Sequence, residues 1–127
     1  MAAQPDFWGE IGTAEGPTPL SILREQAALL GRKTKGLVEA KVDTATFDGV
    51  FTHSFKLVVP ALDNYTYELF LITHGIDLYP VKASGVSDGV KWLTLESENA
   101  FLAWLQGTLS SPKTKKIIAN LLAQATG

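Results

Sequence analysis

The sequence predicts an α+β fold in which one helix precedes a five-stranded antiparallel meander and two C-terminal helices follow it. Apolar residues recur every three or four positions in residues 18–31 and again after residue 97, the spacing of amphipathic helices. Between residues 37 and 95 apolar and polar residues alternate instead, as they do in strands, and short turn signals interrupt them. Such short connections favour antiparallel neighbours, because parallel pairing needs a long crossover.

Length and composition limit the number of domains. The chain has 127 residues, of which 46% are hydrophobic. One domain typically takes about 100–150 residues, so residues 18–127 are predicted to form a single α+β domain. Residues 1–17 combine glycines and prolines with acidic side chains, which favours an extended N-terminal arm. Phe7 and Trp8 lie in this arm, where they either pin it to the domain or anchor a partner.

The first helix is predicted to begin after Thr18, whose hydroxyl can cap it, with Pro19 in the first helical position. Gly31 follows the last apolar residue and is expected to end the helix. Basic residues just beyond Gly31 favour the negative end of the helix dipole. The apolar stripe consists of Leu20, Leu23, Ala27 and Leu30, widened by Ile22 and Leu29.

Asp48-Gly49 is a strong signal for a two-residue hairpin turn between the first two strands. With this turn, Phe47 faces Val50. The same register sets Val42 opposite Phe55, so that apolar residues share one face of the hairpin. A slip of one residue would set the apolar residues against the polar ones. The turn and the alternation therefore predict the same register.

Three further strands are predicted after this hairpin. Both faces of Tyr65–Thr73 are largely apolar, which is typical of a central strand that is covered twice. Tyr79–Ala83 and Val90–Leu95 are the fourth and fifth strands, separated by a flexible loop at 84–89. Pro80 favours an edge or the start of a strand.

The third strand leads to an expectation about exposed surface. Its register on the second strand stays open from the sequence. If the helices collect on one face of the sheet, the other face would expose either Tyr65 and Tyr67 or Phe70 and Ile72. A large exposed apolar patch usually marks an interaction site.

Two helices are predicted after the sheet. Ser97 can cap the second helix, which Gly107 is expected to end or fray. Ser111 and Pro112 start the third helix by the same logic as the first. The apolar residues of the two helices are Phe101, Leu102, Trp104, Leu105 and Leu109, and then Ile117, Ile118, Leu121 and Leu122.

Composition argues against several classes of protein. Without cysteine, a disulfide scaffold, a thiolate nucleophile and a cysteine-ligated metal are excluded. The formal net charge is −2, whereas a nucleic-acid binder usually shows a basic face. No apolar run reaches the roughly 18 residues of a membrane span, and the first residues lack the pattern of a secretory signal. We therefore expect a cytoplasmic protein that binds neither nucleic acid nor membranes.

The motifs favour a protein without catalytic activity. A nucleophile elbow, a Walker motif and a dinucleotide-binding glycine pattern are all missing from the sequence, and we expect no cofactor. One alternative stays open. A register that sets His53 opposite His74 would bring two imidazoles near Asp77. Such a set can bind a metal ion or supply the base and its orienting group in a small hydrolase.

By elimination, the sequence favours a non-enzymatic protein-binding module of the immunity or chaperone type. Its simplest partner is a second copy in a homodimer, because two-fold pairing is the commonest oligomeric arrangement. The homodimer is expected to form through the uncovered sheet face or the last helix. An edge strand near Pro80 and the arm are two further means of docking. Aromatic residues are frequent interface anchors, and the candidate binding residues are Phe7, Trp8, Tyr65, Tyr67, Tyr79 and Trp104.

Overall fold

A computed structural model describes residues 4–85 and 92–127, which form a helix, a five-stranded antiparallel sheet and two C-terminal helices. This order confirms the predicted α+β class. Consecutive strands are neighbours throughout the sheet, so the sheet is a meander. The elements are α1 (Pro19–Lys33), β1 (Glu39–Phe47), β2 (Val50–Val59), a 3-10 turn (Pro60–Leu62), β3 (Tyr65–His74), β4 (Val81–Gly85), β5 (Leu93–Leu95), α2 (Glu98–Leu109) and α3 (Pro112–Thr126).

The start of α1 confirms the predicted cap, but the predicted stop is wrong. The Thr18 hydroxyl accepts the Ser21 N–H at 3.1 Å, and the Ser21 hydroxyl accepts the Thr18 N–H at 2.8 Å. The helix runs through Gly31 and ends at Lys33. Gly36 supplies the turn instead: its φ is 79°, and its N–H donates to the Gly31 carbonyl at 2.8 Å.

Serine hydroxyls begin the other two helices as predicted. Ser97 accepts the Ala100 N–H at 3.2 Å, and Ser111 accepts the Thr114 N–H at 3.2 Å. Each bond satisfies one of the backbone donors that a helix N-terminus leaves unpaired. Gly107 does not end α2, which continues to its boundary at Leu109.

The first hairpin has the predicted register. Phe47 pairs with Val50, and Val42 pairs with Phe55. Asp48 and Gly49 have φ values of 55° and 79°, as a type I′ turn requires at both central positions.

A β-bulge shapes the pairing of β2 with β3. Phe55 pairs with Phe70 and Lys56 pairs with Glu68, so Leu69 has no partner in the ladder. One extra residue reverses the side-chain alternation along the rest of a strand. The two halves of β3 therefore place their aromatic and aliphatic side chains on the same face of the sheet, namely Tyr65, Tyr67, Phe70 and Ile72.

The expected exposure of one apolar face of β3 is therefore wrong. Phe70 and Ile72 are fully buried, and Tyr67 packs against the core. The helices cover this face, where the Phe55 and Phe70 rings stack with their centroids 5.0 Å apart. Trp104 of α2 meets Phe70 edge-on at 5.0 Å. Among the described residues, fourteen buried hydrophobic residues of α1, the sheet, α2 and α3, together with Val38, belong to this one core.

The opposite face of the sheet is mainly polar. It carries Lys41 and Lys56 as a directly opposed like-charged pair. Asp43 lies beside both lysines: Lys56 Nζ donates to its Oδ2 at 3.0 Å, and Lys41 Nζ lies 3.8 Å from its Oδ1. The hydrogen bond from Lys56 holds the pKa of Asp43 below its ordinary value. The exposed apolar side chains Phe47 and Val50 lie on this face only beside the turn between β1 and β2.

The last two strands differ from the prediction. The fourth strand is Val81–Gly85 rather than Tyr79–Ala83, so Pro80 precedes its start. This strand pairs with β3 and β5, and the edges of the sheet are β1 and β5. The prediction of an edge strand near Pro80 is therefore wrong. The fifth strand begins at Leu93. Residues 86–91, which include most of the predicted loop and the predicted start of this strand, lie outside the described residues.

Replacing Phe70 tests the core. We expect Phe70→Ala to lower the free energy of unfolding by about 3–5 kcal/mol, because it removes a fully buried ring and leaves a cavity. Urea denaturation followed by circular dichroism measures the change. Phe47→Ala is the matched control, since Phe47 is 83% exposed and its loss should cost less than about 0.5 kcal/mol. Equal losses in the two variants would contradict the assigned core.

Candidate functional site

The structure brings the two predicted histidines together by a route that differs from the expected register. His53 pairs with Ile72, and His74 pairs with Phe51. The two histidines are diagonal neighbours on the core-facing side of the sheet, and their Nε2 atoms lie 2.9 Å apart. His53 is 2% exposed, whereas His74 is half-buried and stacks on Phe51 at 5.3 Å.

The hydrogen bonds of this pair fix which nitrogens carry hydrogen when both rings are neutral. His74 Nδ1 lies 2.8 Å from the Gly75 carbonyl, which can only accept, so Nδ1 is the donor. His74 Nε2 must then accept from His53 Nε2–H. His53 Nδ1 in turn accepts from the Thr44 hydroxyl at 2.9 Å. Thr44, His53, His74 and the Gly75 carbonyl thus form one directed chain.

The environment disfavours a charge on His53. Burial is the main cause that lowers the pKa of His53 to about 4, and the nearby His74 and Arg24 add to it. At neutral pH His53 is therefore uncharged, as the hydrogen-bond chain requires. A base with this pKa binds a proton weakly at neutral pH, whereas general bases work best with a pKa near the working pH.

This cluster has some but not all features of a catalytic site. A hydroxyl, an imidazole and a second imidazole in hydrogen-bond contact resemble the order of nucleophile, base and orienting group. Asp77, the third member of the predicted set, lines a separate cavity with His74, which His53 does not line. Among residues 4–85 and 92–127, no group of three or more histidine, aspartate or glutamate side chains is placed to hold a metal ion.

The six candidate aromatic residues fall into two groups. Phe7 and Trp8 are each 80% exposed, so they do not pin the arm to the domain, and Tyr65 is 48% exposed. The others, Tyr67, Tyr79 and Trp104, are partly buried and pack against the core. Tyr79 Oη is buried with no hydrogen-bond partner among the described residues. Burial, and then the charge of Glu98, raise the pKa of Tyr79.

An apolar groove lies between the helices of the described structure. Its cavity has a volume of about 740 Å³, within the range of about 300–1,000 Å³ typical of ligand sites. A second cavity of about 680 Å³ shares Leu30, Leu109 and Ile118 with it and reaches the sheet at Phe55 and Leu57. We call the two together the helix groove. Its apolar walls include Leu30, Leu102, Leu105, Leu109, Ile118 and Leu122.

The groove arises from how the helices divide the sheet. α1 packs on β1 near one edge, whereas α2 contacts β5 at the opposite edge, and α3 contacts the 3-10 turn. The groove lies between these helices and reaches the sheet at Phe55, Leu57 and Leu69, which are themselves buried. Its volume and apolar walls are those of a site that can accept a ligand.

The charges around the groove have one sign. Lys33 and Lys115 line the first cavity, and Arg32 and Lys33 line the second. No acidic residue lines either cavity in the part of the chain that the structure describes. Within that part, no ion pair engages Lys33 or Lys115. The groove thus combines apolar walls with a cationic rim.

Sequence reasoning missed this groove, although α2 carried a signal for it. Leu102, Leu105 and Leu109 form one apolar row at helical spacing, while Phe101 and Trp104 extend the apolar surface beyond that row. A helix that is apolar over so wide an arc needs more than one surface to cover it. Leu102 remains 40% exposed in the structure.

Comparisons of the chain with protein-family models, with curated proteins and with solved structures give no match in any of the three. In the described residues, no helix is long and apolar enough to cross a lipid bilayer.

The pKa of His53 predicts a pH-dependent stability. The pKa is about 4 in the folded protein, below the ordinary value of 6.5, so the unfolded chain binds the proton more readily. The free energy of unfolding should therefore fall by about 2–3 kcal/mol as the pH drops from about 6.5 to 4. Urea denaturation at a series of pH values measures it.

Two variants separate this effect from the titration of carboxylates. His53→Gln should lose the part of the pH dependence that lies between pH 4 and 6.5. His74→Gln should keep most of it, because burial rather than His74 is the larger cause of the low pKa of His53. An unchanged profile in His53→Gln would show that His53 does not stay neutral in the folded state.

Proposed function

We propose that the protein is a non-enzymatic protein-binding module, of the immunity or chaperone type and acting in the cytoplasm, and that the helix groove is its binding site. The observation that carries this proposal is the groove itself, with a cavity of about 740 Å³ between α1, α2 and α3. Its lining is mostly leucine, isoleucine and alkyl side chains. Apolar clefts with a few placed polar groups are the usual form of a binding site.

The charge and shape of the groove favour a peptide segment as the ligand. Grooves between helices commonly accept an amphipathic segment whose apolar anchors are spaced along one face. Lys33 and Lys115 at the rim favour acidic residues beside those anchors. Gln26, Thr34 and Gln106 supply further polar groups on the lining. The expected ligand is therefore a short protein segment with apolar anchors and acidic flanks.

A second candidate function rests on the contact between His53 and His74. The Nε2 atoms of the two imidazoles lie 2.9 Å apart, and the Thr44 hydroxyl donates to Nδ1 of His53. A metal site or a small hydrolase can be built from such an arrangement. The directed hydrogen-bond chain supports a structural role instead, because it engages all four ring nitrogens. We therefore place this function second.

Site-specific photo-crosslinking tests the groove as a protein-binding site. A photo-reactive residue replaces Gln106, which lines the groove, in the chain expressed in its native host. We expect it to form a covalent adduct with a protein, identified by mass spectrometry. The matched control replaces Gln124, an exposed glutamine of α3 that does not line either cavity.

The proposal requires the adducts to depend on the groove. Adding Leu102→Glu to the Gln106 variant should abolish the adduct, because a charge enters an apolar wall. Adducts of equal yield at positions 106 and 124, or adducts that persist with Leu102→Glu, would contradict a binding site in the groove.

Metal analysis distinguishes the second candidate from the first. The first proposal predicts that protein dialysed after zinc loading retains no stoichiometric zinc. His74→Gln provides the control, because it removes one imidazole from a half-buried position. One equivalent of zinc that is lost in His74→Gln would favour the histidine site.

A further inference from the structure

We propose that the occupant of the helix groove is the N-terminal arm of a second copy of the chain, so that two chains exchange arms in a homodimer. This inference rests on the groove being a protein-binding site and names its ligand. The arm is residues 4–17 as described, which contain no helix or strand.

The arm carries apolar side chains that nothing covers in the single chain. Phe7 and Trp8 are each 80% exposed, and Ile11 is 74% exposed. The arm is not helical in the single chain, where the φ of Gly9 is 63°. If it became helical, Phe7 and Ile11, which are four residues apart, would share one face, with Trp8 beside them. The Asp6 carboxylate already accepts the Trp8 N–H at 3.0 Å, a bond of the kind that caps a helix. The arm thus has the pattern that grooves between helices recognise.

The charge of the arm is complementary to that of the groove. Between residues 4 and 17 the sequence has Asp6, Glu10 and Glu15 and no basic residue. The groove has Lys33 and Lys115 at its rim, with no acidic lining residue among those described. Opposite charges around an apolar contact select a partner and fix its register. The arm therefore matches the groove in both polarity and sign of charge.

The position of the arm favours exchange between two chains. A Cβ atom placed on Gly16 would lie 4.0 Å from Glu98 Oε1, so the arm leaves beside the start of α2. The lining residues belong to the later parts of the first two helices, from Gln26 in α1 and from Leu102 in α2. The apolar side chains of the arm nevertheless stay exposed in the single chain, so the arm does not occupy its own groove in this structure. A second copy can therefore present its arm to that groove.

The size of the resulting contact suits a stable dimer. A buried phenylalanine or tryptophan removes about 150–250 Å² from water. Two arms, each with two aromatic rings and one isoleucine, together with the groove walls they cover, reach the scale of about 1,200–2,000 Å² seen in stable complexes. A reciprocal exchange is closed by two-fold symmetry, so it ends at the dimer.

Analytical ultracentrifugation of the full chain tests this proposal. We expect a dimer at micromolar concentration. Phe7→Ala with Trp8→Ala should raise the dissociation constant about 30-fold or more, as loss of interface hot spots does. The control is Phe47→Ala with Ile76→Ala, which removes two side chains of similar exposure, 83% and 87%, outside the arm and groove. This control should remain a dimer.

Mixing two defective chains separates exchange from other modes of assembly. The arm variant, Phe7→Ala with Trp8→Ala, keeps its groove. A groove variant, Leu102→Glu with Lys115→Glu, keeps its arm. Each should be monomeric alone, but the mixture should form a heterodimer through one intact arm and one intact groove. Far-ultraviolet circular dichroism and urea denaturation confirm that both variants are folded.

Several outcomes would overturn the exchange of arms. The first is a wild-type chain that stays monomeric. The second is a dimer that persists in both the arm variant and the groove variant, and the third is a mixture of these two variants that forms no heterodimer. A monomer in which the arm protects its own groove would identify binding within one chain instead. If the wild type is monomeric but the crosslinker at Gln106 still captures a different protein, the exchange fails while the protein-binding function stands.

Discussion

The register shift between Phe55 and Lys56 decides which surfaces the protein can offer to a partner. Leu69 is the extra residue at this bulge, and it reverses the alternation of β3 between its two halves. Because of it, side chains of both halves lie on the same, helix-covered face, namely Tyr65 and Tyr67 of the first half and Phe70 and Ile72 of the second half. The other face keeps a polar surface with the Asp43–Lys56 ion pair. The proposed interaction surfaces are therefore the groove between the helices and the arm.

The helices that cover the apolar face of the sheet leave a groove between them, and this groove connects the fold to the proposed function. α1 contacts β1 at one edge and α2 contacts β5 at the other, and the groove between the helices reaches β2 at Phe55 and Leu57. Phe55 and Leu57 are buried core residues and also line this groove, so an occupant would extend the core. The free energy gained there comes mainly from apolar burial, at roughly 25 cal/mol per Å². The cationic rim then selects an acidic occupant.

The sequence predicted those features that depend on a few neighbouring residues. The caps at Thr18, Ser97 and Ser111 and the turn at Asp48-Gly49 are local, because a side chain and a backbone group a few residues apart determine them. The bulge at Leu69 was not predictable in this way, since it depends on which register lets both halves of β3 bury their apolar residues. The stops expected at Gly31 and Gly107 were wrong: α1 ends at Lys33, before the turn at Gly36, and α2 ends at Leu109. The contact between the histidines followed from the same bulged register, and the groove followed from the spacing of three helices. Neither the contact between the histidines nor the groove depends on a local sequence pattern.

The central claim is that the arm of one chain lies in the helix groove of another. The chain has no cysteine, so Gln4→Cys provides a unique site for a nitroxide spin label at the described start of the arm. The labelled chain is mixed with isotopically labelled chains that carry no spin label, and paramagnetic broadening is recorded by NMR. Exchange of arms predicts broadening of the methyl signals of Leu102, Leu109 and Ile118. Broadening confined to the face of the sheet opposite the helices, or no broadening between chains, would contradict the exchange of arms.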